Sequence, residues 1–115
     1  MGSKPVLVIF GKGDQNAVNP GSSALLRTGN LLWNNIHYRH DLAYAADPTV
    51  PKNPHDVLIS PSSSSATFRA VSRALQDAIS IFFASDGQLI AQPEPAQFFE
   101  VPVAGSLPEA LNYIP

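Results

Sequence analysis

The sequence predicts a mainly α domain with small β elements, built on two packed antiparallel helices and a Gly-x-Gly loop, with α+β as the alternative. Three observations carry that expectation. A strong apolar stripe, Phe68, Val71, Leu75, Ala78 or Ile79 and Phe82, recurs at helical spacing, with Arg69, Arg73, Gln76 and Ser80 off it. A second helical pattern spans about residues 30–46, and Gly11-Lys12-Gly13 interrupts the chain just after an apolar run.

In chain order, Met1-Gly2-Ser3 has the composition of a cloning remnant. Pro5 to Phe10 is apolar and β-rich, and reads as a short strand or extended segment. Gly11 to Ser23 is turn chemistry throughout and predicts a loop. Leu32, Ile36, Arg39 or His40, and Ala43 then fall at three- and four-residue spacing, with Gly29-Asn30 opposing any earlier start. Asp47-Pro48 should end this helix, because proline disfavours helix in the residue before it. Asp56 to Ile59 reads as a brief extended piece. Ser62 to Ser65 offer N-caps for the main helix, and Gly87 offers its C-terminal cap. Leu89-Ile90 and Phe98 to Val101 suggest two short strands around Pro93-Glu94-Pro95, before a tail. Residues 1–87 thus form the expected core, and 88–115 a Pro-rich extension with short β elements.

Composition narrows the functions open to the chain. At 115 residues with net charge −2, the seven basic side chains are scattered, so nucleic acid is not an expected partner. There is no Cys, hence no disulfide framework or thiolate zinc site. Nothing approaches ~20 consecutive apolar residues, and no signal peptide is evident. Only 14% of residues are charged and eleven are proline. That balance favours burial in an assembly, and motivates a non-enzymatic structural or assembly protein, as a homo-oligomer or capsid component.

The residues with most chemistry are Gly11-Lys12-Gly13 and His40-Asp41-Leu42-Ala43-Tyr44. Glycines expose backbone carbonyls, a carboxylate can bind a cation, and an adjacent imidazole can serve as base for water. In this order they resemble the phospholipase A2 superfamily, in particular the cysteine-free parvovirus capsid domain. The resemblance covers roughly residues 9 to 83 and includes the Asn53-Pro54 connector. It implies Ca2+ as cofactor, held by the carbonyls of Ile9, Gly11 and Gly13 and the carboxylate of Asp41. It further implies His40 as the base for water attacking the phospholipid sn-2 ester, and Tyr44 as a positioning group. The family's second carboxylate falls on Ser65, which can orient an imidazole but cannot stabilise imidazolium as a carboxylate does; Asp56 is the nearest substitute. The gap from Gly13 to His40 also implies an insertion relative to the viral domain. The substrate implied is a phospholipid membrane, breached from a virion in an endosome.

Plainer readings stand beside this one. His40 and Tyr44 can be a hydrogen-bonded pair at the edge of a core, and Asp41 can pair with Arg39 or Lys52. Gly11 and Gly13 can simply turn the chain. His37, Asp41 and His55 form a conceivable zinc set. Trp33 and Phe82-Phe83 read as core rather than as a lipid-binding rim.

Overall fold

A computed structural model describes residues 4–115; Met1–Ser3 lie outside the described residues. Three helices and a small three-stranded sheet make up the fold, in agreement with the coarse expectation. The order is β1 (Val8–Gly11), α1 (Asn19–Thr28), β2 (Asn35–Tyr38), α2 (His40–Ala46), α3 (Ala66–Ala84) and β3 (Phe99–Glu100). Single 3-10 turns lie at Val57–Ile59 and Ala96–Phe98.

The first half is a βαβ unit. β1 and β2 pair in parallel, Val8 opposite Asn35 through Gly11 opposite Tyr38, with α1 as the crossover. β3 then pairs antiparallel with β2, giving the sheet order β1-β2-β3. Two expectations are corrected here. The stretch Gly11 to Ser23 is not all loop, because α1 begins at Asn19 with Pro20 in its first turn. Proline fits there, since its missing N–H is one that no helix uses. The helix expected over 30–46 begins only at His40. Gly29 caps α1, Asn30 adopts a left-handed φ of 55°, and Asn35–Tyr38 is strand.

All four β2 residues are buried, with apolar and polar side chains alternating over a run of only four residues, too short for its period to outweigh the helical spacing around it. Ile36 and Tyr38 face the main apolar core with Phe68, Val71, Leu75 and Phe99. Asn35 and His37, one residue out of phase, face the opposite side. Asn35 is satisfied there by donating to the Leu31 and Leu32 carbonyls and accepting from Val103 N–H.

α3 matches its prediction closely. Ser65 caps it, accepting from Phe68 N–H at 3.2 Å, and Gly87 ends it with φ 76° and an N–H donated to the Phe82 carbonyl. Its buried stripe runs from Phe68 to Phe82, whereas Phe83 is exposed. Gln76 and Ser72 bind the Leu58 carbonyl and Ser60 N–H, so α3 closes onto the turn at 57–59 and onto the sheet. Helix–sheet packing, rather than an antiparallel helix pair, therefore organises the core. Trp33, expected in the core, lies in the turn before β2 and is 77% exposed.

The expected tail is integral to the fold. Phe98 and Phe99 are core residues, while Leu89-Ile90 forms no strand. The segment from Val103 to Asn112 straps the Asn35–His37 side of the sheet. Ser23 Oγ donates to the Pro108 carbonyl at 2.7 Å, Arg27 pairs with Glu109, and Asn112 Nδ2 donates to Asn19 Oδ1.

Candidate functional site

The residues singled out in the sequence fall into separate environments. His40 opens α2 with its ring fully buried, 3.0 Å from the Tyr38 hydroxyl through Nδ1 and edge-on to Phe68. Its partner is thus Tyr38, not Tyr44, which packs partly buried against the core. Burial lowers the His40 pKa, against the opposing pull of the Pro51 and Lys52 carbonyls and of Asp41. No hydrogen bond of good geometry reaches its Nε2. Burial also pushes the Tyr38 phenol up, so it stays protonated as a donor. Ser65 is the α3 cap and also reaches Asp47 Oδ2 at 3.4 Å.

Asp41 sits at the surface end of α2 and bridges two cations. Arg39 grips both of its oxygens, at 2.9 and 2.7 Å, and Lys12 Nζ lies 3.2 Å from Oδ2. Burial works to raise this carboxyl, but the two cations outweigh it and hold it at about 2. Of the glycine loop, Ile9 lies within β1, and the Gly11 carbonyl accepts from Asn19 Nδ2 at 2.8 Å. Gly13 N–H donates to Asn19 Oδ1 at 2.8 Å. One buried side chain, Asn19, therefore closes the turn from both sides.

The zinc set does not assemble. His37 pairs with Glu100 on β3, Asp41 with Arg39 and Lys12, and His55 Nδ1 lies 3.1 Å from both Asp14 oxygens. Among the described residues no group of three His, Cys, Asp or Glu side chains is placed to hold a metal ion. Asp14 also accepts from Asn16 and Ala17 N–H, which accounts for its burial and its role in tying the loop to the 53–55 connector.

Two surface features remain that sequence reasoning did not assemble. The first is the free edge of β1. Val8 N–H donates to the Asn34 carbonyl and Lys12 N–H to the Tyr38 carbonyl. Parallel pairing alternates, so Leu7 and Ile9 turn their N–H and C=O groups away from β2. Along that edge run two apolar hollows that share Ile9 and Leu58. One, of about 400 Å³, is walled by Val6, Leu7, Ile79, Phe82 and Phe83. The other, of about 210 Å³, is walled by Leu25 of α1 and Pro54 to Leu58, with Asp14 and His55 at its rim. Val6 is 45% and Phe83 73% exposed. The signal available in the sequence was Pro5 to Gly11 itself, seven residues without a charge.

The second is a polar cleft of about 430 Å³ between the strap and the sheet, lined by Lys12, His37, Arg39 and Glu100. It lies beyond the carboxyl ends of the two parallel strands, where open α/β sheets commonly bind ligands.

No protein-family model, no curated protein and no solved structure matches this chain. Among the described residues no helix is long and apolar enough to cross a membrane.

Proposed function

We propose that this protein works by association, using the free edge of β1 as a docking strand for a second copy of itself. The observation that carries the reading is an outermost strand with no strand neighbour beside Leu7 and Ile9, flanked by an apolar groove; its Gly11 end is closed by Pro54 and Asn19. Natural sheets commonly protect such edges with Lys, Pro, bulges or covering segments. Here Pro5 to Gly11 carries no charge, and the only proline stands at its start. An uncharged strand of this kind is self-complementary. Antiparallel pairing of two β1 strands about a twofold axis would join two three-stranded sheets and cover Val6 and Phe83 in both copies.

Size-exclusion chromatography with light scattering tests this directly. The wild-type chain is expected to form a dimer or larger assembly, and Val6→Lys with Phe83→Lys to shift it towards monomer. A strict monomer at every concentration reached by the wild type would overturn the reading.

A second reading has one observation in its favour. The glycine loop and the His-Asp pair, 27 positions apart, are neighbours in the fold, joined by Lys12 and Asp41. That adjacency is what a calcium-dependent phospholipase A2-like hydrolase would need, and it extends the viral resemblance. The same residues as they stand do not suit calcium, which takes six to eight oxygens. Asp41 is held by two cations and the Gly11 carbonyl by Asn19, while the His40 ring has no face open to substrate. Fatty-acid release from phospholipid vesicles, with calcium and with chelator, decides it. Calcium-dependent release lost in His40→Ala, with the fold retained, would place the enzyme above the assembly reading.

A further inference from the structure

The association reading leaves unused the Gly11 end of β1, where Asp14 and His55 meet at the rim of the smaller apolar hollow. Nδ1 of His55 lies 3.1 Å from both Asp14 oxygens. With Asp14 ionised, Nδ1 carries the proton and donates it, which fixes the tautomer and leaves the lone pair on Nε2. The His55 side chain is 43% exposed and that of Asp14 only 12%. A sheltered carboxylate therefore orients a ring that solvent and solutes can reach.

Both partners are fixed by further hydrogen bonds. Asp14 Oδ1 accepts from Asn16 and Ala17 N–H at 2.8 Å. Asn53 Oδ1 accepts from Gln15 and His55 N–H at 3.1 Å, and Asn53 Nδ2 donates to Asn16 Oδ1. Two segments 41 positions apart are thus clamped into one unit. An imidazole held by a carboxylate on one nitrogen, with the other free, is the arrangement of a general base. The adjoining hollow of about 210 Å³ is walled by Ala17, Leu25, Pro54, Val57 and Leu58. It is smaller than the roughly 300–1,000 Å³ of drug-sized sites, and its size and apolar walls suit a short acyl chain.

We propose that His55 and Asp14 form a general-base dyad that hydrolyses esters of short acyl chains, with the chain in the hollow and the ester carbonyl at its rim. Nε2 of His55 takes a proton from water as the water oxygen bonds to the carbonyl carbon. When the tetrahedral centre collapses, the bond to the alcohol oxygen breaks and that oxygen takes the proton from Nε2, giving a carboxylic acid and an alcohol. Asp14 is a positioning residue, acting through the ring. Pro54 closes this end of β1 to a pairing strand, so the site stands apart from association at Leu7 and Ile9. It also shares no residue with the His40–Asp41 pair.

Steady-state hydrolysis of p-nitrophenyl acetate, butyrate and laurate by the full chain tests this. Butyrate should show saturation and the highest kcat/KM, because acetate leaves the hollow part-empty and laurate overfills it. His55→Ala truncates an exposed ring and spares its backbone bond to Asn53, so the fold should persist. Its kcat should fall at least about a hundredfold, the lower end for general-base catalysis. Asp14→Asn keeps an oxygen for the Asn16 and Ala17 N–H groups. It should lower kcat with KM unchanged, and 15N spectra of the His55 ring should show the proton moved from Nδ1 towards Nε2. Turnover no faster than free imidazole overturns the proposal, as do rates that rise linearly with ester and are indifferent to chain length. So does wild-type turnover retained in His55→Ala.

Discussion

At Gly13 the backbone adopts φ +83°, and a Cβ there would collide with the Asn112 carbonyl of the strap. Left-handed backbone costs an L-residue roughly 1–2 kcal/mol before any clash. Gly13→Ala should therefore lower unfolding free energy by at least about that amount in denaturant titration. Gly21, inside α1 with open space around it, should respond the opposite way: alanine there gains roughly 0.5–1 kcal/mol. The pair separates a glycine required by the tertiary fold from one that is not. Both look alike in the sequence, where each is merely part of a Gly-rich stretch. The same holds for His37 and His40. Burial lowers both pKa values, with Glu100 opposing the shift at His37. A histidine kept neutral in the fold binds more protons when unfolded, so its contribution is complete above the ordinary value near 6.5 and is lost as pH falls below it. Melting temperature should thus fall from pH 7 towards pH 5. Asp41, held at about 2 in the fold, adds a separate loss from about 3.8 downwards. A melting temperature flat between pH 7 and 5 would contradict the buried neutral rings.

Among the elements, α3 was the most legible and α1 the least. Period, caps and stop signal all agree for α3, so local preference and tertiary packing point the same way. Ser65→Ala should cost about 0.5–2 kcal/mol by removing the cap, whereas Ser64→Ala should stay within about 0.5 kcal/mol. Truncating Leu75, which has no exposed surface, should cost about 2–5 kcal/mol. α1 hid behind Asn-Pro-Gly-Ser-Ser, a composition that reads as turn. Its proline sits where a helix tolerates it, and its buried face is built from Asn19, Ser23 and Leu26. The small, polar members of that face serve the loop and the strap through hydrogen bonds rather than apolar contact. β2 reads as helix in the sequence because its polar–apolar alternation, Asn35-Ile36-His37-Tyr38, is only four residues long, and Ile36, Arg39 or His40 and Ala43 also fall at helical spacing.

For the molecule as a whole, the association reading makes its demand on one edge of the sheet. Association uses the Leu7–Ile9 part of the β1 edge, and the lysine substitutions at Val6 and Phe83 should weaken self-association while changing thermal stability little, because Phe83 is mostly solvated and Val6 about half so. The opposite side of β2, beneath the C-terminal strap, holds the buried His37–Glu100 pair. The chain by itself determined the uncharged β1 run, the capped and striped α3, the low charge, and which side chains have chemistry to offer. Only the tertiary structure decided which of these meet. Glu100 reaches His37 across 63 positions and Lys12 reaches Asp41 across 29, while the His40 imidazole, prominent in sequence, is sealed into the core. Spacing along the chain reports contacts within one helix or strand; partners brought together by strand pairing leave no periodic trace.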